Sequence, residues 1–495
     1  MATPTAQVGA GAPPDIEIAI LGAGFAGLCM AIALQRAGER RFVILERADD
    51  VGGTWRDNHY PGAACDIPSH LYSLSFAAKS DWSRVYPSQP ELQAYLREVT
   101  EGHGLRPSIR FGHKLIAADY DEDAALWRLT TTHGVMTARK LISGTGGLSE
   151  PKPPQLHGLD GFGGKTFHSA AWDHSYELAG KRVAVIGTGA SAIQFVPQIA
   201  PRVGHLDVYQ RTPNWIIPRP DREYGPRSRW IFRNLPGARA IYRASIYWRN
   251  EARVLGFVVH PSLMRLPRRA SLRHIAAQIP DAGLRARVTP EYAFGCKRVL
   301  ISNDWYPTLQ RDNVRLVTQA VREVTTDAVV DATGETRPAE CIIFATGFFA
   351  TENPIAGCIR GRDGLSLADT WRDGEEAYLG TLVNGFPNLF LIAGPNTGLG
   401  HNSMVFIIET QVAYIMRLLR HLNDSGERAL EVRTDVQRRY NDELQGKLAT
   451  SIWATGCHSW YQHRNGKITA LWPGFTVGFW RRTRAFDPAH YVVGA

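Results

Sequence analysis

Two glycine-rich turns, each set between an apolar strand and a helix, limit what this chain can fold into more than any other feature. The first follows Ile16-Glu17-Ile18-Ala19-Ile20-Leu21, whose apolar character suits a buried parallel strand. Gly22-Ala23-Gly24-Phe25-Ala26-Gly27 then opens a helix expected from about Leu28 to Ala37 and closed by Gly38. A second strand, Phe42-Val43-Ile44-Leu45, ends at Glu46. In such a unit the glycines let backbone approach a pyrophosphate at a helix N-terminus, and the acid bonds ribose hydroxyls. The glycine spacing alone is weak evidence. Here strand, helix, second strand and acid all fall in place, and the N-terminal position favours FAD.

The second unit starts at Val183-Ala184-Val185-Ile186 and turns at Gly187-Thr188-Gly189-Ala190-Ser191-Ala192, where Ala replaces the last glycine. Gln194, on the helix that follows, is grouped with the same site. The strand Leu206-Asp207-Val208-Tyr209-Gln210 ends not in an acid but in Arg211-Thr212. An acid there would repel a 2′-phosphate, whereas an arginine beside a hydroxyl attracts one. The expected nucleotide is NADPH rather than NADH. Two such units imply an α/β chain with two Rossmann-like dinucleotide-binding domains.

At 495 residues the chain can build two or three domains with their own cores. A net charge of +9 raises nucleic acid or an anionic membrane as partners. No basic run is interleaved with stacking aromatics, so nucleic acid is set aside, and an anionic cofactor is the milder explanation. The cysteines Cys29, Cys65, Cys296, Cys341, Cys358 and Cys457 are scattered without zinc spacing. They read as free thiols in a reducing cytoplasm, and no metal site is expected. Residues 1–14 read as a disordered tail rather than a signal peptide. The apolar run from Ile18 to Leu34 is shorter than the ~20 residues of a membrane span and is broken by glycines.

Between the two units lies Phe162-Gly163-Gly164-Lys165-Thr166-Phe167-His168-Ser169-Ala170-Ala171-Trp172-Asp173. Gly164 permits a turn that a side chain would block. Trp172 can bury a large ring at a domain junction, and His168 can carry a proton or bond the backbone. Residues 213–290 are arginine-rich with helical periodicity, Trp230, Ile231, Tyr242, Ile246, Tyr247, Trp248 and Leu255 alternating with arginines. Such a segment either packs its apolar side on a neighbouring domain or lies on a membrane. Packing is the expectation. Further on come Cys296-Lys297-Arg298, the strand Cys341–Phe344 leading to Ala345-Thr346-Gly347, and Gly394 to Ser403 opening a helix expected through Met416. His401 in that turn reads as a structural hydrogen-bonder.

These stretches together resemble the Baeyer–Villiger monooxygenases. Phe162, Gly164, His168, Trp172 and Asp173 match every fixed position of that family's F-x-G-x-x-x-H-x-x-x-W-[PD] fingerprint. A second signature, Gly52-Gly53-Thr54-Trp55 through Tyr60-Pro61-Gly62 to Asp66, also matches. The resemblance implies that Thr54, Trp55, Asp66 and Tyr72 line the flavin and that Asp66 pairs with a catalytic arginine. Arg298 matches that arginine, and Lys297 matches a residue near the NADPH 2′-phosphate. Trp460, in Ser459-Trp460-Tyr461, partly matches a nicotinamide-side tryptophan, though Gln462 to Pro473 depart from the commoner pattern.

The resemblance covers about residues 15–480 and implies the following organisation. An FAD-binding domain takes residues 15–150 and returns over 343–495 with the C-terminal loops. An NADP-binding domain takes 151–212 and 292–342, and a helical insertion over 213–291 walls the substrate cavity. It further implies that NADPH reduces FAD and that O2 gives a C4a-peroxyflavin, which NADP⁺ shields from water. One oxygen then enters beside the carbonyl of a small-molecule ketone to give an ester or lactone. A cation must stabilise the oxyanion that forms, and Arg298 held by Asp66 is the candidate. A flavin-containing N- or S-monooxygenase is the alternative reading, and a redox-sensing binder without turnover is a third. A disulfide reductase would need a C-x₄-C pair, which the sequence lacks. A monomer or weak dimer without an integral membrane segment is expected.

Overall fold

The computed structural model describes residues 13–494. The tail expected over 1–14 therefore lies almost wholly outside the described residues. Pro14, at its end, is buried and its carbonyl accepts a hydrogen bond from Arg41 at 3.3 Å.

The first glycine-rich unit nucleates the larger sheet. Ile16–Leu21 pairs in parallel with Phe42–Leu45 on one side and Gly134–Ser143 on the other. Ile109–Arg110 extends one edge, and Leu126–Thr131, Leu115–Asp121 and Ile359–Arg360 extend the other, with Leu389–Leu391 also pairing to Gly134–Ser143. The Leu115–Asp121, Leu126–Thr131 and Gly134–Ser143 strands form an antiparallel meander. The first helix runs Phe25–Arg36, starting three residues before the expected Leu28. It is buried nearly all round because Met404–Ser425 covers the face turned away from the sheet. That covering helix continues beyond the expected Met416, because Leu418, Leu419 and Leu422 extend its buried stripe. Gly426, at φ +72°, ends it in the left-handed conformation.

The second unit forms a five-stranded parallel sheet in the order Val314–Val317, His205–Tyr209, Arg182–Ile186, Cys341–Phe344 and Lys165–His168. The chain crosses from the first sheet near residues 144–150 and returns near 345–350. The two crossings pair at Pro151 and Phe348.

Between them the chain forms the helices Pro226–Asn234, Ala238–Glu251, Arg265–Gln278 and Ala282–Val288. Packing of their apolar side is only half realised. Ile246 is buried, and Tyr242 and Tyr247 pack against the core of the first sheet. Trp230, Ile231, Trp248 and Leu255 stay exposed, because the inner face is already filled by Tyr224, Phe232 and Tyr242 around His70. Among the described residues, no helix is long and apolar enough to cross a membrane.

Candidate active site

Both nucleotide turns are shaped for a ligand that meets backbone rather than side chains. A Cβ on Gly27 would lie 1.9 Å from the Gly22 carbonyl oxygen, so helix and strand can meet this closely only with glycine. Gly24 faces Gly53 across a gap that a Cβ on Gly53 would close to 3.3 Å. No side chain caps the N-terminus of Phe25–Arg36, and no acid lies in its first turn. Its N–H groups and dipole are available to a pyrophosphate. The second turn repeats the arrangement. Gly187, at φ +106°, would place a Cβ 2.4 Å from the Ala345 oxygen, while Gly189 opens onto free space. The Ala190-Ser191 stretch leads into Ala192–Ile199, whose first turn is likewise uncapped by a side chain. Ala192 is buried in place of the missing glycine. These residues fit FAD in the first turn and NADP in the second.

Glu46 ends its strand buried, one carboxylate oxygen accepting the Ala23 N–H at 2.8 Å and the other paired with Arg56 at 3.0 Å. It therefore braces the turn. Thr54 begins the short helix Thr54–Asp57. Trp55 donates its indole N–H to the Tyr72 hydroxyl at 3.2 Å, and Phe25 meets the Tyr72 ring edge-on at 5.3 Å. Phe25, Trp55 and Tyr72 thus form one aromatic group beside Gly24.

Asp66 and Arg298 come together as expected. The guanidinium Nε and Nη2 both donate to Asp66 Oδ2, at 3.0 and 2.5 Å. Both side chains are 29% exposed, so the pair is set back from the surface yet still open to a ligand. The Asp66 charge raises the Arg298 pKa further, so the site always carries the cation. Next to it, Lys297 lies over the Tyr292 ring at 4.8 Å. Burial and the charge of Arg211 lower its pKa. Arg211 is exposed and Thr212 half-buried at the end of the second strand. The charge of Arg211 thus reaches Lys297, and two cations within reach of one another suit a dianionic phosphate.

Gln194, on the helix after the second turn, bonds across the domain joint. Its amide oxygen accepts from the Tyr60 hydroxyl at 3.0 Å, and its NH2 donates to the Ala64 carbonyl at 3.0 Å. The Thr188 carbonyl accepts from Asn214 at 2.7 Å. Trp460 is 44% exposed, its ring 4.4 Å from that of Tyr461.

The fingerprint residues form a joint between the two sheets rather than part of the Asp66–Arg298 cluster. A Cβ on Gly164 would lie 2.5 Å from the Glu340 carbonyl oxygen and 2.6 Å from the Phe162 ring. His168 accepts the Ala170 N–H at 3.1 Å, and burial lowers its pKa. Trp172 is buried against Phe195, which in turn packs on Tyr60 of the Asp66 loop. Asp173 pairs with Lys165 at 2.6 Å. The next residue, His174, meets His59 of the same loop at 2.9 Å.

Three features of the site were not read from the sequence. Cys296 and Cys457 form a disulfide, with Cα atoms 6.2 Å apart, which corrects the expectation of six free thiols. Cys29, Cys65, Cys341 and Cys358 remain free. The two bridged cysteines are separated by 161 positions, and only the fold brings them together. Tyr461 is the second. It is buried within electrostatic reach of Arg298, and burial pushes its pKa up to about 12 while the arginine pulls it back. The third is Glu251, buried where helix Ala238–Glu251 meets two other segments. It accepts from Asn402 at 2.9 Å, Thr476 at 2.8 Å and the Val477 N–H at 3.2 Å, and lies 3.5 Å from His401. Burial would raise its pKa, but these donors hold it below the usual value. As the one acid in a long arginine-rich stretch, it carried a signal that could have been noticed. His401 lies beside this carboxylate, but neither of its buried ring nitrogens makes a hydrogen bond, so the structural hydrogen bonding expected of it is not seen here.

Comparison with known proteins accords with this geometry. The sequence model of the pyridine nucleotide-disulphide oxidoreductase family matches residues 19–235. A Baeyer–Villiger monooxygenase of Pseudomonas aeruginosa is 49% identical over 478 residues, spanning 96% of this chain and 91% of that protein. Another from Streptomyces coelicolor is 45% identical, spanning 97% and 92%. Among solved structures, OTEMO in complex with FAD and NADP superposes with a TM-score of 0.89 at 26% identity, covering 98% of this chain and all of that one. Cyclohexanone monooxygenase from Rhodococcus sp. Phi1 bound to NADP⁺ gives 0.87 at 28% identity, covering 98% and 100%. The chain belongs to the Baeyer–Villiger monooxygenase family.

Proposed function

We propose that this protein is an NADPH- and O2-dependent flavoprotein monooxygenase that converts a ketone to an ester or lactone. One oxygen atom of O2 enters the bond beside the carbonyl and the other leaves as water, with NADPH supplying two electrons. Bound FAD, reduced by NADPH, supplies the activated oxygen. The observation that carries the reading is the Asp66–Arg298 pair, with Lys297 next to Arg298 in the chain and within reach of the charge of Arg211.

The protein's own groups do the rest. Gly22, Gly24, Gly27 and the uncapped helix behind them hold the FAD pyrophosphate, with Glu46 toward the ribose. Gly187, Gly189 and the second helix hold NADP, and Arg211, Thr212 and Lys297 select its 2′-phosphate. Arg298 presents a fixed positive charge to the carbonyl oxygen as that oxygen becomes negative. Asp66 holds one edge of the guanidinium, so little reorientation is needed when charge develops. The joint at Trp172, Phe195 and Tyr60 keeps the NADP sheet in register with the Asp66 loop. A monomeric or weakly dimeric state belongs to the same proposal, and so does a cytoplasmic location, which the four free cysteines suit although Cys296 and Cys457 are bridged.

The test is turnover under ¹⁸O2 with NADPH and a panel of cyclic, linear and aromatic ketones. An ester or lactone carrying one heavy oxygen, formed one-to-one with NADPH consumed, is the expected result. NADPH consumption that yields only H2O2 with every ketone would remove the proposal.

A further inference from the structure

From Tyr224 to Pro280 the chain carries eleven arginines, no lysine and a single acidic residue, Glu251. This stretch holds more positive charge than the net +9 of the whole protein. Glu251 is buried and bonded to Asn402 and Thr476, so no acid of the stretch itself lies at the surface, and from outside it Asp81, paired with Lys79, comes within electrostatic reach of Arg233. The ion pairs that flank the stretch, Arg219 with Asp221 and Arg298 with Asp66, both lie outside it. Arg239 and Arg243 are spent on the carbonyls of Ala78 and His70. Arg227, Arg233, Arg249, Arg265 and Arg269 stay exposed.

The same stretch concentrates exposed apolar surface. Of seventeen large apolar side chains exposed on the described residues, nine lie between positions 230 and 266, far more than an even scatter would place there. Helices Pro226–Asn234 and Ala238–Glu251 form a hairpin across the turn Leu235-Pro236-Gly237. Their inner faces are fastened by Phe232 on Tyr242, with ring centres 5.1 Å apart. On the outer face of the second helix, Ile241 and Trp248 stand two turns apart and are 72% and 58% exposed. Trp230 on the first helix is 63% exposed, and Leu235 at the tip 56%.

We infer that this hairpin docks the protein on an anionic phospholipid surface. Charge decides among the possible occupants. A second copy of the chain would set arginines against arginines. Nucleic acid would satisfy the arginines but leave Leu235 and Ile241 facing phosphate and sugar. An anionic bilayer satisfies both sets: guanidinium groups meet lipid phosphates, indoles sit at headgroup level, and aliphatic side chains reach the acyl boundary. The helices lie in the interface, since none is long and apolar enough to cross it.

FAD-loaded, full-length protein is floated with vesicles of phosphatidylcholine alone and with vesicles containing about one-third phosphatidylglycerol. Binding to the anionic vesicles is expected to be at least about tenfold stronger, and to fall steeply as salt shortens the screening length. The double variant Ile241→Asp, Trp248→Ala is expected to lose about tenfold in vesicle binding. Its flavin content and ketone-dependent NADPH oxidation should stay unchanged. Lipid charge and salt test the wild-type protein even if that variant folds poorly. Equal binding to both vesicle types, binding to neither, or unchanged binding by the variant would overturn the inference. So would tighter binding to duplex DNA than to vesicles, or a dimer that Ile241→Asp dissolves without lipid.

Discussion

Arg298 directs Nε and Nη2 to one oxygen of Asp66, at 3.0 and 2.5 Å, across 232 positions of chain. The carboxylate therefore holds the guanidinium by one edge and leaves its remaining N–H groups for other partners. The buried Tyr461 lies within electrostatic reach of the same cation. The arrangement positions a permanent cation without neutralising every donor it has.

Arg298→Ala should abolish product formation by about 10²–10³-fold, the usual cost of removing an oxyanion donor. Anaerobic reduction of the flavin by NADPH should change only a few-fold. Asp66→Ala keeps the cation but loosens it, so a smaller loss of about tenfold is expected. Single-turnover reduction and chromatographic product yield, measured on both variants, check the division. A normal ester yield from Arg298→Ala would remove its role.

Lys297 and Arg211 sit close enough for the charge of one to lower the pKa of the other. Each should matter only where a 2′-phosphate is present. Arg211→Ala or Lys297→Ala should raise KM for NADPH by about 10–100-fold, the worth of one charge-assisted hydrogen bond. KM for NADH should stay within about threefold in each. Steady-state kinetics with the two nucleotides decide it, and parallel weakening of both would refute the assignment.

The Cys296–Cys457 bridge ties the Lys297-Arg298 segment to the loop that carries Trp460 and Tyr461. Thiol titration of the denatured, unreduced protein should detect Cys29, Cys65, Cys341 and Cys358 alone, and all six cysteines after reduction. Reduction should lower stability by up to about 5 kcal/mol, the loop-closure value for a bridge across 161 positions. Denaturant melts with and without a reductant measure that difference.

Glu375 is buried, with only the Asn353 N–H donating to it at 3.2 Å. Burial pushes its pKa up to about 7 from an ordinary 4.5, and nearby Glu352 adds to the rise. A raised acid binds its proton more tightly when folded. Its contribution to stability is therefore full below about pH 4.5 and lost as pH rises through 7. Glu375→Gln removes the cost of charging the site and should stabilise the protein at pH 8 by on the order of 2 kcal/mol. At pH 4.5 it should change little. Urea unfolding at both values tests the sign.

Much of the frame was legible because its signals are local. The strand–turn–helix at Ile16 to Arg36 and its counterpart at Arg182 to Ile199 follow from apolar runs and glycines that pack backbone on backbone. The Asp66–Arg298 pair was legible only through resemblance, since a carboxylate and an arginine so far apart carry no local mark of pairing. Gln194 shows the converse. Its grouping with the nucleotide comes from its place in the sequence, whereas its bonds to Tyr60 and Ala64 across the domain joint are set only by the fold.

The sequence alone determined the two dinucleotide units, the order in which they occur and the lack of an acid at Arg211, because each depends on neighbours within a few residues. Tertiary structure alone decided which cysteines pair, that Tyr461 lies within reach of Arg298, that Glu251 is clamped by Asn402 and Thr476, and that Ile241 and Trp248 face outward. A side chain's partner in such cases is set by how distant segments stack. Composition and periodicity record that a face is apolar, but only packing shows whether the core has room for it.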